Sequence, residues 1–260
     1  MSELYDKIGM NYDSTRCADP FITSNLAKIL DVSSNSNILD IACGTGNYTI
    51  ALNDMGLNMT GIDISEDMLY KAKEKRQNIN WIRNDASCMS MDDASFDGAI
   101  CTLACHHFKD RRSVFSEVYR VLQKGKFVIF TCDHIQIRNY WLYKFYPEVL
   151  EYMISYMPSV YTLLDELCSV GFRLSSIVPY FVSETLKDNF LGARIEQPWL
   201  YLNDSFRSGM SIFAEKASSD MIERGCVRLK DDISSGTINS YLEKYYNNYG
   251  DYLFLTVEKC

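Results

Sequence analysis

The chain has 260 residues, 47% of them hydrophobic, and a formal net charge of −8. That supplies a core for one large domain, or for one domain with a substantial insertion. No uninterrupted apolar run reaches the roughly 18 residues of a membrane span, so none is expected. The acidic balance argues against a surface built to neutralise nucleic-acid phosphates. The first residues, "MSELYDKIGMNYDSTR", are polar and lack the apolar core of a secretory signal. Nine cysteines, with no CxxC spacing, read as reduced thiols in a cytoplasm.

In chain order, Phe21, Ile22, Leu26, Ile29 and Leu30 make a helical stripe. "NILDIA" is a short strand, apolar on both faces, and "NYTIALNDMG" a helix stopped by Gly56. "NMTGIDI" is a second strand. Ser65 then caps "EDMLYKAKEKR", whose acids lead and whose bases trail, as a helix dipole favours. "INWIRND", "FDGAICTLA" and "KFVIFTCD" are further strands, with a helix through Val114, Phe115, Val118, Val121 and Leu122 between the last two. This alternation predicts a parallel sheet covered by helices, with ligands at the carboxyl ends of the strands.

Beyond Asp133 the pattern changes. A Tyr- and Trp-rich stretch precedes "LLDELCSVGF", a helix stopped by Gly171, and "SSIVPYFVSE", a strand that Pro179 marks as an edge or bulge. A polar, mixed segment follows to about Gly250, in which "YLNDSFRSGMSIFAEKA" reads as a helix capped near Asp204. "YLFLTVE" closes the chain as a strand. Residues 1–133, 171–183 and 251–260 are therefore expected to form a Rossmann-like core. Residues 134–170 and 184–250 are expected to form a cap over its rim.

The turn "LDIACGTGNYT" decides the ligand. A phosphate loop needs GxxxxGK followed by Ser or Thr, and no such run exists. A dinucleotide fingerprint needs a third glycine, and that position is Thr49. A nucleoside without a pyrophosphate remains. Asp40 before the turn suits a cationic group, Asp63 at the end of the next strand suits two ribose hydroxyls, and Asn84 and Asp85 suit an adenine amino group. Three acids with no nearby base fit a ligand carrying an ammonium, a sulfonium and an adenosine.

"LDIACGTGNYT", "GIDISEDML", "NDA", "CTLACHHFKD" and "SEVYRVLQKGKFVIF" together resemble the ordered motifs of class I S-adenosylmethionine-dependent methyltransferases. The resemblance spans residues 36–133 and is closest to the small-molecule branch that includes ubiquinone- and menaquinone-biosynthesis enzymes. "LQKGKF" departs from the Pro-Gly-Gly common there. The resemblance implies a seven-stranded, mostly parallel sheet whose last strand is antiparallel, inserted beside the fifth. It implies S-adenosylmethionine as methyl donor and S-adenosylhomocysteine as product. Gly44 and Gly46, with Ala42 in the same turn, would line the methionine part, and Asp40 would hold its amino group. Asp63 would clamp the ribose, and Ile64 and Met68 would lie against adenine. Asn84, Asp85 and Ala86 would read the adenine edge, and Thr102 and Leu103 would sit beneath the sulfonium. Tyr12 and Arg16 would belong to an N-terminal lid, with Arg16 pairing the cofactor carboxylate bidentately.

Methyl transfer from a sulfonium is an in-line displacement that gains most from positioning and exclusion of water. A base helps only when the nucleophile arrives protonated. His107, after the fourth strand, is the expected base or substrate-orienting group, with Tyr12 or Tyr5 as its partner, and His106 a core hydrogen-bonding group. Cys101, Cys105, His106 and His107 read as core and rim residues, and no metal is expected. Tyr140, Trp141, Tyr143, Tyr146, Tyr152, Tyr156 and Tyr161 are expected to roof the site, and Arg194 or Arg207 to meet a substrate carboxylate. The expected partner is a small-molecule methyl acceptor, with neither nucleic acid nor membrane; the cap could also serve a homodimer. The rival readings are a non-catalytic cofactor-binding module and an RNA methyltransferase of the same fold.

Overall fold

The computed structural model describes residues 12–260. Its centre is a seven-stranded sheet of β1 (Asn37–Ile41), β2 (Asn58–Asp63), β3 (Asn80–Arg83), β4 (Gly98–Thr102), β5 (Gly125–Thr131), β6 (Arg173–Tyr180) and β7 (Tyr252–Lys259). The order is β3-β2-β1-β4-β5-β7-β6. The first five strands are parallel, and β7 runs antiparallel to both β5 and β6. Chain progression reverses between β1 and β4, so the carboxyl ends of these two strands flank the crevice where such sheets bind ligands.

Helices Pro20–Leu30, Asn47–Asp54 and Glu66–Lys75 lie on one side of the sheet. Arg111–Val121 and Val160–Ser169 lie on the other, where Val114, Phe115, Val118, Leu163 and Leu167 pack on Leu39, Phe127 and Leu255. Local chemistry sets the helix starts as the sequence implies. Ser65 Oγ accepts the Met68 N–H, and Asp110 accepts the Ser113 N–H. β6 is the edge strand, with a bulge between Leu174 and Ser176.

Three expectations change. Val160–Ser169, placed in the cap from the sequence, packs on the sheet instead, because its apolar face meets helix Arg111–Val121. The helix expected over residues 201–217 is broken into a 3₁₀ turn Pro198–Leu202, a short helix Asp204–Arg207 and a π-turn Ile212–Lys216. At Gly209 a β-carbon would lie 2.1 Å from Thr15 Oγ1, so the chain passes the N-terminal segment too closely for a regular helix surface. The polar segment also contains a helix that its composition obscures, Ser219–Ser235, capped by Ser218 and ended by Gly236 at φ 73°. The cap packs around fully buried Tyr140, Trp141, Tyr146 and Tyr201. No helix among the described residues is long and apolar enough to cross a membrane.

Candidate active site

The turns after β1 and β4 are both strained at a single residue. Ala42 and Leu103 each have φ 55°, in the left-handed region that side chains avoid. Two backbone bonds hold them there: Cys43 N–H to Ile62 O at 3.0 Å, and Leu103 N–H to Phe130 O at 2.8 Å. The result is a floor from which three cavities open.

The first cavity, about 740 Å³ and partly open to solvent, is lined by Ala42, Gly44, Asp63, Ile64, Met68 and Asn84. Asp85, Ala86, Thr102, Leu103 and His107 complete the part expected from the sequence, and Ile62, Ala104 and Phe108 were not expected. Asp63 is held by backbone: Oδ2 accepts the Gly44 N–H and Oδ1 the Ser65 N–H, each at 2.9 Å. Each carboxylate oxygen retains a further lone pair, which suits two vicinal hydroxyls. Desolvation raises its pKa from the usual carboxylate range, and the bonds from Ser65 and Gly44 oppose that rise. Asp85 is different: it is exposed and accepts the Ser87 N–H and hydroxyl, which lower its pKa. Its neighbour Asn84 donates to Ser90 while its Oδ1 is buried with no partner among the described residues. A buried orphan carbonyl is costly unless a ligand supplies a donor, as an adenine amino group does. Thr102 Oγ1 is a second buried orphan on the same wall.

The second cavity is polar and lies beyond the glycine turn, lined by Arg16, Asp40, Ala42, Gly44, Thr102 and Asp188, with Tyr48 and Asn47. Gly44 has φ 56°, and a β-carbon there would meet nothing within 4 Å among the described residues, so its bare face points into the cavities it borders. Gly46 behaves otherwise. It is absent from all three cavity walls, and a β-carbon on it would lie 2.3 Å from the Trp81 ring. Gly46 was expected to line the methionine part; what the structure shows of it is close packing on Trp81, which lets helix Asn47–Asp54 start against β3. Asp40 is 2% exposed and accepts the Thr49 hydroxyl at 2.6 Å. Burial pushes its pKa up to about 7, with Thr49 lowering it and Asp63 raising it.

Arg16 borders this cavity, but its fork is on a protein carboxylate. Nε reaches Asp188 Oδ1 at 2.5 Å and Nη2 reaches Oδ2 at 3.1 Å. The bidentate pairing expected with the cofactor is, in this structure, made with Asp188 of the cap. Asp188, which no sequence motif announces, also accepts the Tyr48 hydroxyl at 3.1 Å. Tyr12 opens helix Tyr12–Thr15, but its side chain, like all of Tyr5, lies outside the described residues. Asp13, next to it, accepts from Thr45 Oγ1 at 2.6 Å and from Lys75 Nζ at 3.0 Å, which ties this helix to the glycine turn.

The third cavity, about 690 Å³ and partly open to solvent, shares Leu103 and His107 with the first and Arg16 with the second. Its walls are Met153, Met157, Met210, Phe190, Leu191 and Ile212, with Cys132 and Tyr252. None of the seven aromatic residues expected to roof the site lines it. Tyr140, Trp141 and Tyr146 are buried inside the cap, and Tyr161 is exposed. Arg207 binds Tyr201 O and Asp204, and Arg194 binds Asn189 Oδ1, so neither reaches the cavity. His106 and His107 sit on a 3₁₀ turn with ring centroids 3.9 Å apart, and both line this cavity. Desolvation, then the charge of Lys216, holds His107 at about 4. Desolvation, His107 and Lys216 hold His106 well below its usual value. His106 Nδ1 is buried with no partner among the described residues, and His106, expected to hydrogen-bond the core, borders the cavity. Cys101 is buried in β4 and Cys105 Sγ lies 3.7 Å from Thr131 Oγ1; among the described residues no cluster of His, Cys, Asp and Glu could hold a metal ion.

Sheet order, the two strained turns and the acid at the end of β2 define a Rossmann-like nucleoside-binding protein whose ligand site opens into a separate apolar chamber. Comparison with known proteins gives the same class. Residues 39–130 match the family model described as a methyltransferase domain. A protein of Anabaena variabilis, provisionally described as a methyltransferase from an antibiotic biosynthesis pathway, superposes with a TM-score of 0.83 at 30% identity, covering 93% of this chain and 98% of its own. Demethylmenaquinone methyltransferase of Staphylococcus epidermidis is 36% identical over 106 residues, 38% of this chain and 44% of its own length. The Bacillus subtilis protein YqeM, itself provisionally described as a methyltransferase, is 32% identical over 136 residues, 49% of this chain. The chain thus spans about half the length of these curated relatives, 44% and 54%. It belongs to the class I S-adenosylmethionine-dependent methyltransferases.

Proposed function

We propose that this protein transfers a methyl group from S-adenosylmethionine to a small, uncharged, largely apolar acceptor held in the third cavity. One observation carries the reading. The adenosine cavity borders the methionine-end cavity at Ala42, Gly44 and Thr102 and the acceptor cavity at Leu103 and His107, and Arg16 borders the last two, so a donor spanning the first two presents its sulfonium toward the third. Bound there, S-adenosylmethionine supplies an activated methyl whose leaving group is neutral. The protein's own part is to grip and orient. Asp63 takes the ribose hydroxyls, Asn84 Oδ1 the adenine amino group, and Ala42 and Leu103 hold the floor on which the reacting atoms align.

The acceptor's nature follows from its walls. Three methionines, Phe190, Leu191 and Ile212 give apolar contact that adapts to shape. Among the described residues the one formally charged side chain on the wall is Arg16, which is paired with Asp188. Two neutral imidazoles are the chief polar groups. A neutral imidazole accepts a hydrogen bond from an O–H or N–H, and His107 takes that proton as the acceptor attacks the methyl. Its partner Tyr12 stays part of this proposal. The apolar character accords with demethylmenaquinone, which the name of the Staphylococcus epidermidis relative gives as that enzyme's substrate.

The rival non-catalytic module would need a wall between cofactor and chamber; against it, the two cavities adjoin at the same two residues, Leu103 and His107. The net charge of −8 argues against RNA, and nine free cysteines fit a reducing cytoplasm. Isothermal titration with S-adenosylmethionine tests the reading: binding is expected, and no heat at millimolar ligand would overturn it.

A further inference from the structure

The methionine-end cavity contains an ion pair that the fold alone does not require. Asp188 belongs to the cap, is 1% exposed, and grips Arg16 through both its oxygens while accepting the Tyr48 hydroxyl. Burying a carboxylate and a guanidinium together is expensive, and the pair as such is poor evidence of a stabilising role. Both residues line a cavity that Asp40 also borders. A small polar chamber carrying charges of both signs is complementary to a zwitterion, and it adjoins the adenosine cavity through Ala42, Gly44 and Thr102.

Among the described residues, Oδ2 of Asp188 receives two donors, Arg16 Nη2 and the Tyr48 hydroxyl, whereas Oδ1 receives one, Arg16 Nε. A carboxylate oxygen has two lone pairs. The surrounding chain holds Asp188 in place. The Lys187 N–H donates to Asp19 Oδ2 at 2.9 Å and the Asn189 N–H to Thr15 O at 3.2 Å, so the cap is sewn to the N-terminal segment on both sides of the acid.

We infer that Asp188 receives the α-ammonium of the cofactor on Oδ1 and holds Arg16 against the α-carboxylate, making the cap the reader of the cofactor's amino-acid end. Phe190 and Leu191, two and three residues on, wall the acceptor cavity. Recognition of the amino-acid end is thereby built into the same short segment that shapes the acceptor chamber. The inference rests on the cofactor reading above.

The test compares three ligands by isothermal titration on the parent and on Asp188→Asn. S-adenosylhomocysteine carries the whole amino acid, its desamino analogue 5′-(3-carboxypropyl)thioadenosine lacks only the ammonium, and methylthioadenosine lacks both charges. The parent is expected to favour S-adenosylhomocysteine over the desamino analogue by ~10- to 100-fold, the range of a charge-assisted hydrogen bond. Asp188→Asn is expected to lose that preference and bind methylthioadenosine as the parent does. A variant that binds methylthioadenosine normally and still favours S-adenosylhomocysteine as the parent does overturns the inference, as does a parent with no preference. Should Asp188→Asn fail to fold, Tyr48→Phe decides: it removes one bond to Asp188 and is expected to lower the preference severalfold, and an unchanged preference refutes. A parent that binds none of the three refutes the cofactor reading instead.

Discussion

The carboxylate of Asp63 accepts the backbone N–H of Gly44 at 2.9 Å, so the end of β2 and the turn after β1 are one unit. The acid that would hold the ribose also fixes the glycine turn. Asp63→Ala is accordingly expected to weaken S-adenosylhomocysteine binding by ~100-fold, combining lost ribose bonds with a loosened turn. Turnover at saturating cofactor is expected to fall far less. Equal affinity of variant and parent in a titration would contradict the ribose assignment.

The two glycines of the turn are expected to separate binding from stability. Gly44→Ala places a methyl in open space facing the ligand, so cofactor affinity should fall more than tenfold with a loss of stability of about 1 kcal/mol from the left-handed φ. Gly46→Ala drives a methyl into Trp81, so it should destabilise by about 2–4 kcal/mol, from strain and overpacking together. Denaturant melts and titrations on both variants check this, and similar profiles for the two would refute the distinction.

Asp40 predicts a pH signature. Its folded pKa, raised to about 7 by burial, exceeds the ordinary value of 3.8. The folded protein therefore holds this proton longer than the unfolded chain, and stability from this group falls as pH rises from about 4 through about 7. Asp40→Asn has no proton to lose, so its melting temperature should gain on the parent across that window, by several degrees at pH 8. A cationic ligand favours the ionised form, so parent affinity for S-adenosylmethionine should rise with pH up to about 7, and the variant's should not. A melting difference constant with pH would refute the assignment.

Much of the cofactor half was legible in the sequence because it is written at strand ends. Once "NILDIA", "NMTGIDI" and "FDGAICTLA" are strands of a parallel sheet, Asp40, Asp63 and Thr102 must fall on one rim. The acceptor half was not legible, because its wall is assembled from Met153 and Met157, Phe190 and Leu191, Met210 and Ile212, and Tyr252, with no fixed spacing. Asp188 was hidden for the same reason: its partners Arg16 and Tyr48 lie 172 and 140 residues away. Helix Ser219–Ser235 was obscured because its stripe of Ile222, Cys226, Leu229 and Ile233 is broken by charge and by Gly225, where a β-carbon would lie 2.0 Å from Tyr146.

Filling the third cavity should separate its role from that of the first two. Met153→Trp adds bulk to a wall that touches neither of the others. S-adenosylhomocysteine affinity should stay within about threefold of the parent, while methyl transfer falls by at least about tenfold, as overpacked sites lose their ligand geometry. Undiminished transfer would place the acceptor elsewhere.

The most direct test of the central claim is a titration of the parent with S-adenosylmethionine and S-adenosylhomocysteine. Saturable binding of one equivalent of each, lost in Asp63→Ala, is the predicted result. No binding of either at millimolar concentration would contradict it.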